Sequence, residues 1–256
     1  MVNFEQELAS LKHAVDFQLY LHSSWGLEYE VNTDQMWATA SLIKLAIAAY
    51  GQQLFLKQPN LLEEKVTLQS EDIVPGGTLN LVSPRVYTIK DLLQLMLIQS
   101  DNTATNALLT TWGMDKINAW LKKNYPNVLL QRRLMTPPTN GENLANAKSL
   151  GQLLHAAFKY DDEYAQTVQI SMQNQMFYDR LVWPVAMGEY SQIKSYNKTG
   201  DLINYQHDAA RLELGDSWIE CVAMTKFTPN EKSHAVQFLQ NVGRVLCQML
   251  TEQNPI

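Results

Sequence analysis

Apolar side chains at Phe4, Leu8, Leu11 and Val15 recur at helical spacing and predict an amphipathic opening helix over residues 4–14. Residues 16–23 then alternate, with Phe17, Leu19 and Leu21 set against Gln18, Tyr20 and His22. The alternation resumes over 27–31 after Ser24-Trp25-Gly26, which predicts a hairpin. Residues 41–55 are apolar on almost every side, as in a helix buried at the centre of a fold. Helical patterns follow over 89–99, 103–111, 115–123, 147–159 and 162–174, separated by breaks bearing Gly, Pro or Asn. Strand-like runs at 193–198, 209–214 and 218–225 precede a long helix over 231–251. Strands at both ends of the chain around a helical block imply an α+β fold, an α/β sandwich. It has one five-stranded antiparallel sheet built from both chain ends, flanked by terminal helices, with an inserted all-α lobe. Residues 1–40 and 190–256 form the α/β lobe and 41–189 the mainly helical lobe. No repeat or long linker divides them, so 1–256 reads as one domain with its site where the lobes meet.

Composition narrows the function classes. A hydrophobic share of 46% and a charged share of 18% suit a packed globular chain. A net charge of -6 without a Lys/Arg cluster offers little to a phosphate backbone, so nucleic acid is excluded as a partner. The longest apolar stretch, 42–50, is interrupted by Lys44 and too short to span a bilayer. The amino terminus has neither a basic nor an apolar run; a cytoplasmic location is expected, or secretion or the cell surface if a leader precedes the sequence. Cys221 and Cys247 read as small core residues rather than as a disulfide. His13, His22, His155 and His234 are scattered with no mutual spacing of a ligand set, so neither a metal nor a cofactor is expected. The expected partner is a small molecule, and the expected state a monomer.

Ser41-Leu42-Ile43-Lys44 sets a hydroxyl and an amine one helical turn apart. A serine needs a base to become nucleophilic, and a lysine serves only if burial or a neighbouring cation lowers its pKa. The apolar helix supplies the burial, and Lys198 is a candidate for the second cation. The same spacing recurs at Ser191/Lys194 and Ser195/Lys198, but those serines precede or lie within a strand, where i and i+3 point to opposite faces. Ser100-Asp101-Asn102 lies between helices, where such residues also serve as caps. Lys198-Thr199-Gly200 lies in or just after a strand, where a cation and a hydroxyl can meet an anion while glycine admits a second backbone. His207 and Asp208 are adjacent on a strand and face opposite ways, which excludes a catalytic couple between them. Pro75-Gly76-Gly77-Thr78 reads as a turn.

In this order the three elements resemble the signature set of β-lactamases and penicillin-binding proteins. The run from Ser100 to Leu109, and Lys198 to Leu202 followed by His207-Asp208, resemble class A β-lactamases. The resemblance implies that Ser41 forms an acyl-enzyme, that Lys44 takes or relays its proton, and that Ser100 passes a proton to the leaving nitrogen. Asn102 would hold the substrate amide and place Lys44. Lys198 and Thr199, beside Gly200, would hold the substrate carboxylate, and the backbone N–H groups of Ser41 and Asp201 would form the oxyanion hole. The substrate class so implied is a β-lactam, or a peptide-like amide or ester.

One element of that family is missing. Its fast hydrolases carry a Glu-x-x-Leu-Asn run on a loop after the Ser-Asp-Asn triplet, which activates the water that clears the acyl-enzyme. Between Asn102 and Asn143 the only carboxylates here are Asp115, at a helix start, and Glu142, directly before Asn143. The expected chemistry is therefore acylation followed by slow hydrolysis. The alternatives are a DD-peptidase-like or esterase-like hydrolase, or a module that binds penicillin or cell-wall fragments without turnover.

Overall fold

The structure is a computed structural model that describes residues 15–83 and 85–254; the helix expected over 4–14 lies outside them. The hairpin is β1 (Asp16–Ser23) and β2 (Glu28–Val31), and β3 (Trp37–Ala38) leads into a 3₁₀ turn over Ala40–Leu42 and helix α1 (Ile43–Phe55). A two-stranded ribbon, β4 (Lys65–Thr67) with β5 (Val86–Thr88), precedes α2 (Ile89–Ile98), α3 (Asn102–Trp112) and α4 (Met114–Asn124). Then come β6 (Val128–Leu129), β7 (Leu144–Ala145), α5 (Ala147–Ala156), α6 (Glu163–Gln173) and the short α7 (Trp183–Ala186). The chain closes on β8 (Lys194–Leu202), β9 (Tyr205–Leu214), β10 (Ser217–Lys226) and α8 (Lys232–Gln253).

The expected α+β architecture is present. The five strands of the main sheet run β2-β1-β10-β9-β8, antiparallel throughout, and the two halves join where β1 pairs with β10. The inserted lobe is helical but not wholly so. Strands of two or three residues, β3-β7-β6 and β4-β5, stitch its loops together and are too short to leave a period-2 signal. Side-chain oxygens at helix starts explain several boundaries. Thr88 with Asp91 forms a capping box before α2, and Asp101, Asn146 and Asp162 accept from the third helical N–H of α3, α5 and α6.

The period-2 pattern sorts the sheet into two apolar layers. Phe17, Leu19 and Leu21 of β1 join Ile219, Cys221 and Ala223 of β10 beneath Phe238, Leu239, Val242 and Leu246 of α8. The opposite face carries Tyr20, Val222, Met224 and Ala209 against α1, α5 and the rest of the helical lobe. Both cysteines are free and buried in the first layer, where burial pushes their thiols up, that of Cys247 to about 12. Among the described residues, no helix is long and apolar enough to cross a membrane.

Candidate active site

Ser41 sits in the 3₁₀ turn that opens onto α1, one turn before Lys44. The turn is entered through Ala40 at φ 49° and is pinned by Thr39, whose N–H donates to Asn143 O at 2.8 Å. A left-handed alanine costs of order 1 kcal/mol, a strain typical of residues held for function. Ser100, at φ 56°, adopts the same unusual backbone just before α3. β8 presses against the nucleophile turn at Gly200, where a Cβ would lie 2.9 Å from Thr39 O and 3.2 Å from the Ala40 Cβ. Glycine is what lets the two backbones meet.

Three of the residues singled out from the sequence, Ser41, Ser100 and Asn102, converge on Lys44. Its Nζ lies 3.1 Å from Ser41 Oγ, 2.9 Å from Ser100 Oγ, 2.9 Å from Asn102 Oδ1 and 2.5 Å from Ser100 O. Lys198 Nζ donates to Ser100 Oγ at 3.1 Å and to Thr199 O at 2.8 Å. Both lysines are fully buried, while Ser41, Ser100 and Asn102 are half-buried. The hydroxyls therefore reach the surface from an amine-rich floor. Burial first, and then the Lys198 charge, hold Lys44 well below the ordinary lysine range, against a smaller opposite pull from Asp101. Burial takes Lys198 down to about 7, although Asp208 and Asp201 pull it upward.

The Ser-Asp-Asn triplet divides its labour. Ser100 and Asn102 serve Lys44, whereas Asp101 is the α3 cap, accepting from Ala104 N at 2.8 Å and also from Thr78 and Leu79 N–H. The Pro75–Gly77 turn does more than its sequence suggested. Asn102 Nδ2 donates to Pro75 O at 3.0 Å, and a Cβ on Gly76 would lie 2.5 Å from that nitrogen. One Nδ2 hydrogen remains for a ligand. Thr199 stands apart: it follows Lys198 on the strand, pairs across to Asp208 and is 2% exposed, so its side chain leaves from the other face of β8. Asp201 is exposed and bonds to Arg180.

Two residues support the site in ways that the sequence did not indicate. Arg180, buried between two helical segments, donates to His207 O at 2.7 Å and Gly200 O at 3.2 Å and pairs with Asp201, which ties β8 to β9 at the site. A lone arginine in a break carries no periodic signal. His207 Nε2 donates to Ala38 O at 2.9 Å while its Nδ1 accepts from Thr225 N–H. It stays neutral, burial holding it at about 4, and fastens β3 over the sheet just ahead of Ser41. Asp208 points the other way, to Asn197 and Leu181 N–H.

The loop from Leu129 to Asn143 offers no free carboxylate. Glu142 is held in a two-pronged ion pair by Arg132, at 2.8 and 2.9 Å. Asp115 lies in the first turn of α4. The loop is anchored instead at Leu134, whose backbone N–H and C=O both bond to the Asn106 carboxamide at 2.9 and 3.2 Å.

The sequence profile of the Beta-lactamase enzyme family matches residues 4–250. No curated protein matches the chain. Among solved structures, a β-lactamase from Sphaerobacter thermophilus DSM 20745 superposes with a TM-score of 0.86 at 21% identity, covering 98% of each chain. A point mutant of PBP-A, captured as its acyl-enzyme complex with penicillin G, superposes at 0.85 and 22% identity, covering 98% of this chain and 97% of that one. A β-lactamase from Burkholderia vietnamiensis gives 0.82 at 14% identity, covering 100% and 98%. At these identities the likeness is one of fold.

Proposed function

We propose, from the premise that the chain belongs to the Beta-lactamase enzyme family, that it is a serine hydrolase whose Ser41 takes up the acyl group of a β-lactam or a similar strained amide or ester. The observation that carries this reading is Lys44 Nζ, buried and 3.1 Å from Ser41 Oγ. Burial lowers the proton affinity of this lysine, and in its neutral form it can accept the serine proton as Oγ bonds to the substrate carbonyl carbon. The C–N bond then breaks. The leaving nitrogen takes a proton from Ser100 Oγ, which regains one from Lys44 across 2.9 Å, so the base returns neutral. Lys198, on the same hydroxyl, supplies positive charge for a substrate carboxylate. Backbone N–H groups of Ser41 and Asp201 would stabilise the oxyanion; losing one such donor costs about 10²–10³ in turnover.

Release of the acyl group is the slow half. With Glu142 committed to Arg132, the loop lends no carboxylate to a water beside Ser41. A fluorescent penicillin is expected to label the protein covalently, with a mass adduct on Ser41, and Ser41→Ala should abolish labelling. Intact protein that shows neither adduct nor turnover with several β-lactams would overturn the proposal. The tied glutamate also favours a second reading, a penicillin or cell-wall-fragment binder. An adduct that outlasts hours of washing selects it, and regain of the free mass within minutes selects the hydrolase.

A further inference from the structure

A polar row crosses the main sheet on the face that meets α5. In register, Glu28 of β2 lies opposite His22 of β1, His22 opposite Glu220 of β10, Glu220 opposite Arg211 of β9, and Arg211 opposite Tyr196 of β8. Residues directly opposite in antiparallel strands project on the same side, so these five share one line. His155, in the last turn of α5, comes down on that line. Its Nδ1 is 2.9 Å from Glu220 Oε2, and His22 Nδ1 is 3.6 Å from the same oxygen. Two imidazoles and a carboxylate thus bring their ligand atoms within 4.8 Å of one another, from β1, α5 and β10. The histidines show no ligand spacing in the sequence because 133 and 65 residues separate the three groups; only the sheet register and the end of α5 unite them.

The surroundings hold the three in place. Glu220 is 1% exposed and the imidazoles 34% and 45%, so a buried carboxylate lies at the bottom of an opening walled by two imidazole rings. The other Glu220 oxygen accepts from Arg211 Nη1 at 2.6 Å, which fixes the carboxylate with Oε2 toward the histidines. Arg211 is itself held between Phe158 and Trp218, at 4.5 and 4.3 Å from their ring centres, and its Nε donates to Glu213. Its charge is matched by two carboxylates, which leaves the group with one net negative charge when both imidazoles are neutral. Trp218 also packs on both histidine rings, at 5.1 and 5.5 Å.

We propose that His22, His155 and Glu220 form a binding site for a divalent late transition metal, with Zn²⁺ the ion that fits best. Two imidazole nitrogens and one carboxylate oxygen make a zinc ligand set, with metal–ligand distances of roughly 2.0–2.2 Å that put tetrahedral ligands about 3.3 Å apart. The observed 2.9 and 3.6 Å lie on either side of that value, so small side-chain rotations admit the ion. Calcium and magnesium prefer oxygen-only sets. On binding, His155 surrenders the proton it shares with Glu220, which leaves to solvent or moves to its Nε2, and the remaining coordination position faces water. The site lies two strands from β8 and does not depend on the chemistry of Ser41. An ion there would clasp α5 to β1 and β10.

Cobalt and zinc test the proposal on the whole protein. Co²⁺ is expected to give the visible bands of a four-coordinate site at one ion per chain. Zn²⁺ should displace it and raise the melting temperature. His22→Gln and His155→Gln, at partly exposed positions, should each weaken binding at least about tenfold, the scale at which even outer ligand partners act. Ser41→Ala should bind as the parent does. Absence of both the cobalt bands and a zinc-dependent melting shift overturns the site, leaving an ion-pair network only. So does binding that survives both histidine substitutions. Should a variant fail to fold, zinc protection of His22 and His155 from acylation by diethylpyrocarbonate in the parent protein decides, and no protection overturns the site.

Discussion

Lys198 is half-protonated near pH 7, because burial, helped by the Arg180 charge, brings it to about 7 against the pull of Asp208 and Asp201. For a group that must be cationic to hold a carboxylate, the binding-competent fraction falls about tenfold per pH unit above that value. Under the proposed acylation Lys44 has the reverse requirement, since only its neutral form can accept the Ser41 proton. The acylation rate constant of a penicillin bearing a free carboxylate is therefore expected to fall above about pH 7. Its methyl ester, which makes no demand on Lys198, should keep rising or level off. Stopped-flow acylation of both compounds from pH 6 to 9 checks this, and identical profiles would remove Lys198 from carboxylate binding. At this scale the sequence identified the residues that meet at Lys44, because motif order reports chemistry that spacing alone does not. Arg180 left no such mark, and His207 was marked only by the resemblance and not by its role: each acts on backbone carbonyls that only the fold brings near.

Helix α3 organises the site at the next scale. Asn102 in its first turn holds Lys44, and Asn106, one turn on, holds the Leu134 backbone, so helix and loop are indexed to each other. Leu134 is 7% exposed and packed in the core beside the helix. Leu134→Glu would put a carboxylate on a loop segment anchored one turn of α3 from Asn102. The expected outcome is a shorter adduct lifetime at a stability cost of roughly 1–3 kcal/mol for the buried polar group. Intact-mass time courses on variant protein with native circular dichroism measure it, and an unchanged lifetime would exclude this segment as the place where water is activated. The long elements were legible because apolar periods of 2 and 3.6 persist over many residues. The short ribbons β3-β7-β6 and β4-β5 were not, since two or three residues cannot express a period.

Over the whole molecule the buried lysines are a cost of folding at neutral pH. In the unfolded chain both stay protonated up to the ordinary lysine value near 10.5, whereas in the folded state Lys198 releases its proton through about 7 and Lys44 well below the lysine range. Between pH 7 and 9 the unfolded state binds more protons, so stability rises with pH, by about 1.4 kcal/mol per unit for each lysine that is neutral only when folded. Asp208, also at about 7, opposes this below the window, and the raised thiols of Cys221 and Cys247 oppose it above pH 9. Urea unfolding at pH 7 and 9 should show the increase and Lys198→Met should reduce it; a flat profile would mean that both lysines are charged in the fold.

The sequence by itself determined the α+β class, the meeting of both chain ends in one sheet, and the residues that gather in the candidate site, because those depend on local periods and on an ordered set of short motifs. The tertiary structure decided the rest. It aimed Ser41, Ser100 and Asn102 at one buried amine and took Glu142 out of play through Arg132. It also joined His22, His155 and Glu220 across three elements. Each of these turns on long-range register, which fixes which side chains share a face, and side chains far apart in sequence acquire a common environment only when the strands and helices close on one another.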